Sequence, residues 1–138
     1  MKHLLPRQAH DFIAQKPHAV FVDCRSDAEF FLIGHAFVVT TDGKEIRPEH
    51  ILWSDELRME NNPNFVNEVL AVTKTKDRPV VLICRSGRRT LLAGDALEAA
   101  GFTDVINVLH GFEGDRNDQE QRSSINGWRF DGLPWEQM

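Results

Sequence analysis

The stretch VVLICRSGRRTLLAGDALEAAGF, from Val80 to Phe102, joins an apolar run, one cysteine, a loop with three arginines and a helical pattern. The run from Pro79 to Cys84 is rich in β-branched residues and predicts a buried strand. A helix is predicted from about Arg89, and Gly101 stands where a left-handed helix end is expected. The apolar face of this helix is predicted to contain Leu92, Ala93, Ala96, Leu97 and Ala100.

The rest of the chain repeats this alternation of strand and helix. His18–Cys24 and Asp104–Leu109 predict two further strands. Helical patterns cover residues 6–15 and 62–74, the second with Asn62 as its cap and Pro63 as its first helical residue. Alternating strands and helices predict an α/β fold with a parallel sheet, and the length of 138 residues predicts a single domain spanning residues 1–138.

Composition excludes several classes of protein. The formal charge of −5 argues against general nucleic-acid binding, and two cysteines are too few for a disulfide framework. No cluster of cysteine or histidine has the spacing of a metal site, so neither a metal nor another cofactor is expected. No segment approaches the roughly 20 apolar residues of a membrane span, and Pro6 interrupts the apolar start at once. These features predict a cytoplasmic protein with reduced thiols and no nucleic-acid or membrane partner.

The position of Cys84 predicts chemistry at the strand end. In open α/β sheets, ligands bind beyond the carboxyl ends of the strands, where the following helices begin. The loop from Arg85 to Arg89 can turn its N–H groups towards one point at the positive end of the helix dipole, and Gly87 allows the required backbone geometry. An anion or the Cys84 sulfur would occupy that point, which favours a nucleophilic thiolate.

Other interpretations of this loop are possible from the residues alone. A cysteine at a strand end is often a small buried apolar residue, and arginines often form a solvated turn. Cysteine-dependent phosphatases use the spacing Cys-x5-Arg, whereas this chain has Cys84-x4-Arg89. The shorter loop suits a sulfane sulfur carried on the cysteine better than a phosphoryl group.

Three segments resemble the rhodanese (sulfurtransferase) family. They are VLICRSGRRT at residues 81–90, FVDCRSDAEFFLIGH at residues 21–35 and NGWRFDGLPW at residues 126–135. The resemblance implies a three-layer fold with about five parallel strands flanked by helices. It also implies that Cys84 is the catalytic, sulfur-accepting residue and that the substrate-binding loop consists of Arg85, Ser86, Gly87, Arg88 and Arg89.

The family reaction implied is a thiosulfate sulfurtransferase activity. A small anionic donor would pass its outer sulfur to Cys84, and the resulting persulfide would pass it to a thiol, cyanide or protein acceptor. Two alternatives remain open: a sulfur-carrier or regulatory module loaded by a partner, and a cysteine-dependent phosphatase or arsenate reductase.

Two segments depart from the family pattern, and several residues have structural interpretations. AFVVTTDGKEI at residues 36–46 predicts a hairpin that turns at Asp42–Gly43. The long loop at residues 110–125 either shapes access to Cys84 or is an exposed insertion.

Arg89 is expected to pair with Glu29 or Asp23. Structural roles are expected for Asp23, Arg25, Glu29, Cys24 and His35, whereas His110 is expected near the site.

Overall fold

Strands and helices alternate along the chain in the computed structural model, which describes residues 1–138. A π-helical turn at Glu29–Ile33 follows the second strand. In chain order the other elements are β1 (Lys2–Leu4), α1 (Pro6–Gln15), β2 (Val20–Asp23), β3 (His35–Ala36), β4 (Val38–Val39), β5 (Glu45–Ile46), β6 (Glu49–His50), β7 (Ser54–Asp55), β8 (Glu60–Asn61), α2 (Phe65–Thr73), β9 (Val80–Ile83), α3 (Arg89–Ala99), β10 (Val105–Val108) and β11 (Trp135–Glu136).

The central sheet is parallel and has five strands in the order β1-β10-β9-β2-β6. Every residue of β2, β9 and β10 is buried, as expected for β-branched strands covered on both faces. Asp23 pairs with Ile83 in register, so β2 and β9 end at the same sheet edge. The predicted strands and the five-stranded parallel architecture are confirmed.

Two apolar layers enclose the sheet. One contains Val69 of α2, Leu97 of α3 and both cysteines. The other contains Ile13 of α1 and the fully buried Trp128. Helices on both faces of a parallel sheet give the predicted three-layer arrangement.

The ends of α1 and α3 follow the sequence patterns, but one apolar face does not. Gly101 has a φ of +102°, and the Phe102 N–H donates to the Leu97 carbonyl at 3.0 Å, so the predicted helix end is confirmed. Leu92 is 63% exposed, and its predicted burial is wrong. Gly94 is buried instead because Met1 packs so closely that a Cβ there would lie 2.6 Å from its sulfur.

The predicted start of α2 is also wrong. The helix begins at Phe65, with Asn64 as the flanking residue. The Asn62 side chain accepts the Asn64 N–H at 3.0 Å and donates to the Leu52 carbonyl at 2.8 Å. Asn62 therefore forms a local turn that competes with helix capping.

Short hairpins surround the sheet. β4 and β5 pair on either side of Gly43, which has a φ of +85°, so the predicted hairpin is confirmed. β7 and β8 form a second hairpin, Ser54–Asn61, that the sequence patterns did not predict. No helix has both the length and the apolar character needed to cross a membrane.

Candidate active site

Cys84 lies directly after β9, at the entrance to the loop that leads into α3. Its Sγ accepts the backbone N–H of Gly87 at 3.1 Å and lies 3.5 Å from the Thr90 hydroxyl. The side chain is 0% exposed. The sulfur therefore accepts one backbone N–H of the loop that leads into α3, and it is one of the two occupants that the sequence analysis allowed there.

A second segment holds this loop in place. The N–H groups of Phe112 and Glu113 donate to the carbonyls of Cys84 and Arg85 at 2.8 and 2.9 Å. Gly111 has a φ of +61°, and a Cβ there would lie 2.4 Å from the Cys84 carbonyl oxygen. Gly87 has a φ of +90°, and a Cβ added at this position would lie 3.2 Å from the backbone nitrogen of His110. The loop at residues 110–125 thus begins by packing against the cysteine loop, near Cys84 as expected.

Arg89 supports the loop from the helix side. Its side chain is 6% exposed, and its guanidinium donates to the two carboxylate oxygens of Glu29 at 2.9 and 2.7 Å. It also donates to the Ser54 carbonyl at 3.1 Å. Burial alone would raise the pKa of Glu29, but the hydrogen bonds and charge of Arg89 outweigh it and lower that pKa. The ion pair expected between Arg89 and Glu29 or Asp23 is formed with Glu29.

The other loop residues have different surroundings. Arg85 is partly exposed and donates to Glu56 of the Ser54–Asn61 hairpin at 2.8 Å. Arg88 is exposed and has no hydrogen bond or ion pair from its side chain within the chain. Ser86 is partly buried. The three arginines of the loop therefore differ in how strongly they are already neutralised.

A cleft of about 550 Å³ adjoins this loop. Its lining includes Arg85 but not Cys84. Arg122, from the loop at residues 110–125, lines the same cleft; burial first and then the charge of Arg85 lower the pKa of Arg122. The remaining lining residues are Ser26, Ala28, Glu29, Leu32, Ile33, Asp55, Glu56, Leu57 and Glu113. The sequence analysis did not identify Arg122 and Glu56 as site residues, because both lie in segments distant from the Cys84 motif.

The segment at residues 23–25, at the end of β2, lies beside the start of the cysteine loop. Arg25 is 0% exposed, pairs with Asp23 at 2.8 Å and donates to the Gly34 carbonyl at 2.6 Å. Burial raises the pKa of the Cys24 thiol, and the neighbouring Cys84 raises it further. The Cys24 thiol donates to the Ile83 carbonyl at 3.4 Å. These contacts agree with the structural roles predicted for the three residues.

Two histidines that the sequence analysis singled out have different surroundings. His110 has a φ of +67°, and its ring lies 3.6 Å from the Asp115 carboxylate. His35 lies within hydrogen-bond distance of the Phe30 carbonyl and of Glu136, which agrees with its predicted structural role. No group of three or more histidine, cysteine, aspartate or glutamate side chains is arranged to hold a metal ion.

Known proteins share this fold and sequence pattern. A crystal structure of Rv0390 from M. tuberculosis has 34% sequence identity and a TM-score of 0.82, with 100% of this chain and 98% of that chain covered. An uncharacterized protein of Rickettsia prowazekii is 25% identical over 137 residues, which are 99% of this chain and 98% of the relative.

A solution structure of the polysulfide-sulfur transferase homodimer from Wolinella succinogenes shares the fold. Its TM-score is 0.62 at 20% identity, and the match covers 100% of this chain and 80% of that chain. The family of the rhodanese-like domain matches residues 5–118. With that match over most of its length, and with the strand, cysteine loop and helix arranged as described, the chain belongs to the rhodanese-like family.

Proposed function

We propose that this protein is a sulfurtransferase that carries sulfane sulfur as a persulfide on Cys84. The observation on which the proposal rests is the Cys84 Sγ, which accepts the Gly87 N–H at 3.1 Å at the start of α3. A backbone donor and the positive end of a helix both favour negative charge on that sulfur or on a sulfur attached to it.

The reaction is a double displacement. The Cys84 thiolate attacks the outer sulfur of a donor such as thiosulfate; the new S–S bond forms as the donor S–S bond breaks, and sulfite leaves with that electron pair. An acceptor thiolate or cyanide then attacks the outer persulfide sulfur and regenerates the Cys84 thiolate. Charge balances in both steps, and no metal or organic cofactor takes part.

The proposed donor site lies between two cations of the cleft. Arg85 and Arg122 come from different loops and line the same cleft; after burial, the charge of Arg85 lowers the pKa of Arg122. An anion bound between them would relieve this repulsion. Of the residues that the sequence assigned to substrate binding, Arg85 would contact the donor, Gly87 would supply an N–H group, and Ser86 and Arg88 would flank it. Arg89 would hold the loop through Glu29.

A carrier function is the second candidate, and two observations favour it. Cys84 is 0% exposed, and Glu56 already binds Arg85. A partner protein that moves the Ser54–Asn61 hairpin could load the cysteine without turnover of a free donor. The two functions differ in whether thiosulfate alone supports multiple turnovers with cyanide.

Intact-mass spectrometry tests the proposal directly. After incubation with thiosulfate, the protein should gain about 32 Da, one sulfur atom, and a reducing agent should remove this addition. Cys84→Ser should abolish both the addition and the turnover. Cys24→Ser, the matched control in the other buried thiol, should keep them. A sulfur addition that persists in Cys84→Ser would overturn the assignment, and loading without turnover would favour the carrier.

A further inference from the structure

A line of polar contacts connects Cys84 to the edge of the sheet. The Thr90 hydroxyl lies 3.5 Å from the Cys84 Sγ and donates to the Asn107 Oδ1 at 2.6 Å. The Asn107 Nδ2 lies 3.2 Å from the His3 Nδ1. Thr90 and Asn107 are 0% and 1% exposed, whereas His3 is exposed on β1, one of the two edge strands. None of these three residues lines the cleft.

Asn107 is an unusual residue for its position. Strands β2, β9 and β10 are buried throughout and otherwise apolar, apart from Asp23 in its ion pair with Arg25. Burial of an amide in such a strand is costly unless its oxygen and nitrogen both find partners. The Asn107 oxygen accepts from Thr90, and its nitrogen lies next to the His3 ring. A buried polar group therefore lies between the Cys84 sulfur and the His3 imidazole.

The single proton of the Thr90 hydroxyl gives this line two states. When the hydroxyl donates to Asn107, it can only accept from Cys84, an arrangement that suits a protonated thiol. If the Asn107 amide turns by half a rotation, its nitrogen donates to Thr90 and its oxygen accepts from His3. The hydroxyl proton is then free to bond to a Cys84 thiolate, and a His3 ring protonated at Nδ1 favours the same state.

We propose that Thr90, Asn107 and His3 form a relay in which protonation of His3 favours the anionic form of the Cys84 sulfur. The three are positioning residues, because they act on the sulfur without contacting a substrate. The inference rests on the proposed role of Cys84 as the sulfur carrier. The relay gives that role a second control, separate from the arginines of the cleft.

Several charged groups around His3 have partners of their own. Lys2 pairs with Asp104 at 3.1 Å, the terminal amine of Met1 pairs with Glu98 at 2.8 Å, and His110 lies 3.6 Å from Asp115. None of these groups bonds to the His3 ring. The other titratable and charged side chains of the two helices are Arg7, His10 and Asp11 on α1 and Arg89 and Asp95 on α3, with Arg88 directly before α3. His10 and Asp11 lie 3.1 Å apart, and none of these side chains bonds to the His3 ring.

The test measures alkylation of Cys84 by iodoacetamide, which requires a thiolate but no sulfur transfer. The rate is followed by intact mass in a Cys24→Ser background between about pH 5 and 8, the range in which imidazoles change charge. At the acid end, the parent should react about fivefold faster than His3→Gln, the factor expected for one hydrogen bond. At the alkaline end, the two rates should converge.

Thr90→Val serves as the second variant. Thr90→Val breaks the relay, so adding His3→Gln to it should not change the alkylation rate at any pH. In a Thr90→Ser protein, His3→Gln should still slow alkylation at the acid end. If Thr90→Val does not fold, Asn107→Leu breaks the same line one residue further on. A rate ratio that is independent of pH, or a His3 effect that survives the break, would overturn the relay. The measurement stays informative even if the protein turns over no thiosulfate.

Discussion

Replacing Arg89 with glutamine should cost much more stability than the same replacement at Arg88, its neighbour. Arg89 is 6% exposed and donates two hydrogen bonds, of 2.9 and 2.7 Å, to Glu29, whose side chain is 18% exposed. Removal of one partner from a buried ion pair costs about 3–5 kcal/mol. Because Glu29 is partly solvated and also accepts from Ser26, we expect about 2–3 kcal/mol for Arg89→Gln.

Urea unfolding at neutral pH measures this difference. Arg88→Gln is the matched control because Arg88 is exposed and its side chain makes no bond within the chain, so its cost should stay below about 0.5 kcal/mol. Steady-state kinetics should separate the same pair of variants. Arg89→Gln should lower kcat with little dependence on salt, whereas Arg88→Gln should raise the KM for thiosulfate, and this effect should weaken at high ionic strength.

A double-mutant cycle with Glu29→Gln isolates the pair itself. If the ion pair carries the effect, the double variant should be much less destabilised than the sum of the two single variants. Equal urea midpoints for Arg89→Gln and Arg88→Gln would refute the reasoning. So would strictly additive effects of the Glu29 and Arg89 changes.

Three further predictions follow from other contacts of the site. Arg89 lowers the pKa of Glu29, so the stability that this carboxylate contributes is present at neutral pH. The difference in unfolding free energy between the parent and Glu29→Gln should therefore shrink as the pH falls below about 4. Glu56→Gln should lower the KM for thiosulfate about two- to fivefold by freeing Arg85, whereas Glu60→Gln, the same change in the same hairpin, should not. Gly111→Ala should cost about 3 kcal/mol or more in urea unfolding, because the added Cβ would lie 2.4 Å from the Cys84 carbonyl oxygen. The control is Gly43→Ala, which should cost about 1 kcal/mol, because the backbone at Gly43 is left-handed but no other atom lies within 4 Å of the added Cβ.

The sequence was informative wherever one residue pattern covers a whole element. The β-branched runs of β2, β9 and β10 lie in buried strands, and the segment Pro6–Gln15 forms α1 over its full predicted length. The geometry of the cysteine loop was also predictable, because Gly87 and the start of α3 lie within a few residues of Cys84. Local conformation and nearby charges determine such features.

Features that depend on distant contacts could not be predicted. β1 and β6 are short, and only their pairing with the central strands defines them. Glu56 reaches Arg85 from a hairpin with no glycine turn, and Arg122 reaches the cleft from a polar loop. Asn107 looks like an ordinary polar interruption of a strand until the fold places Thr90 and His3 beside it. In each case the information lies in the packing of one segment against another.

Under the proposed function, the ion pairs of the arginines determine which donors should bind best. Arg89 is neutralised by Glu29 and Arg85 by Glu56, so the loop has only Arg88 free to attract an anion from solution. A donor that binds to Arg85 competes with Glu56, a carboxylate held nearby by its own chain and therefore present at a high effective concentration. A singly charged donor should gain little, because Glu56 already offsets the charge of Arg85. A doubly charged donor that binds Arg85 and Arg122 together gains a second ion pair, so the cleft should select dianions such as thiosulfate.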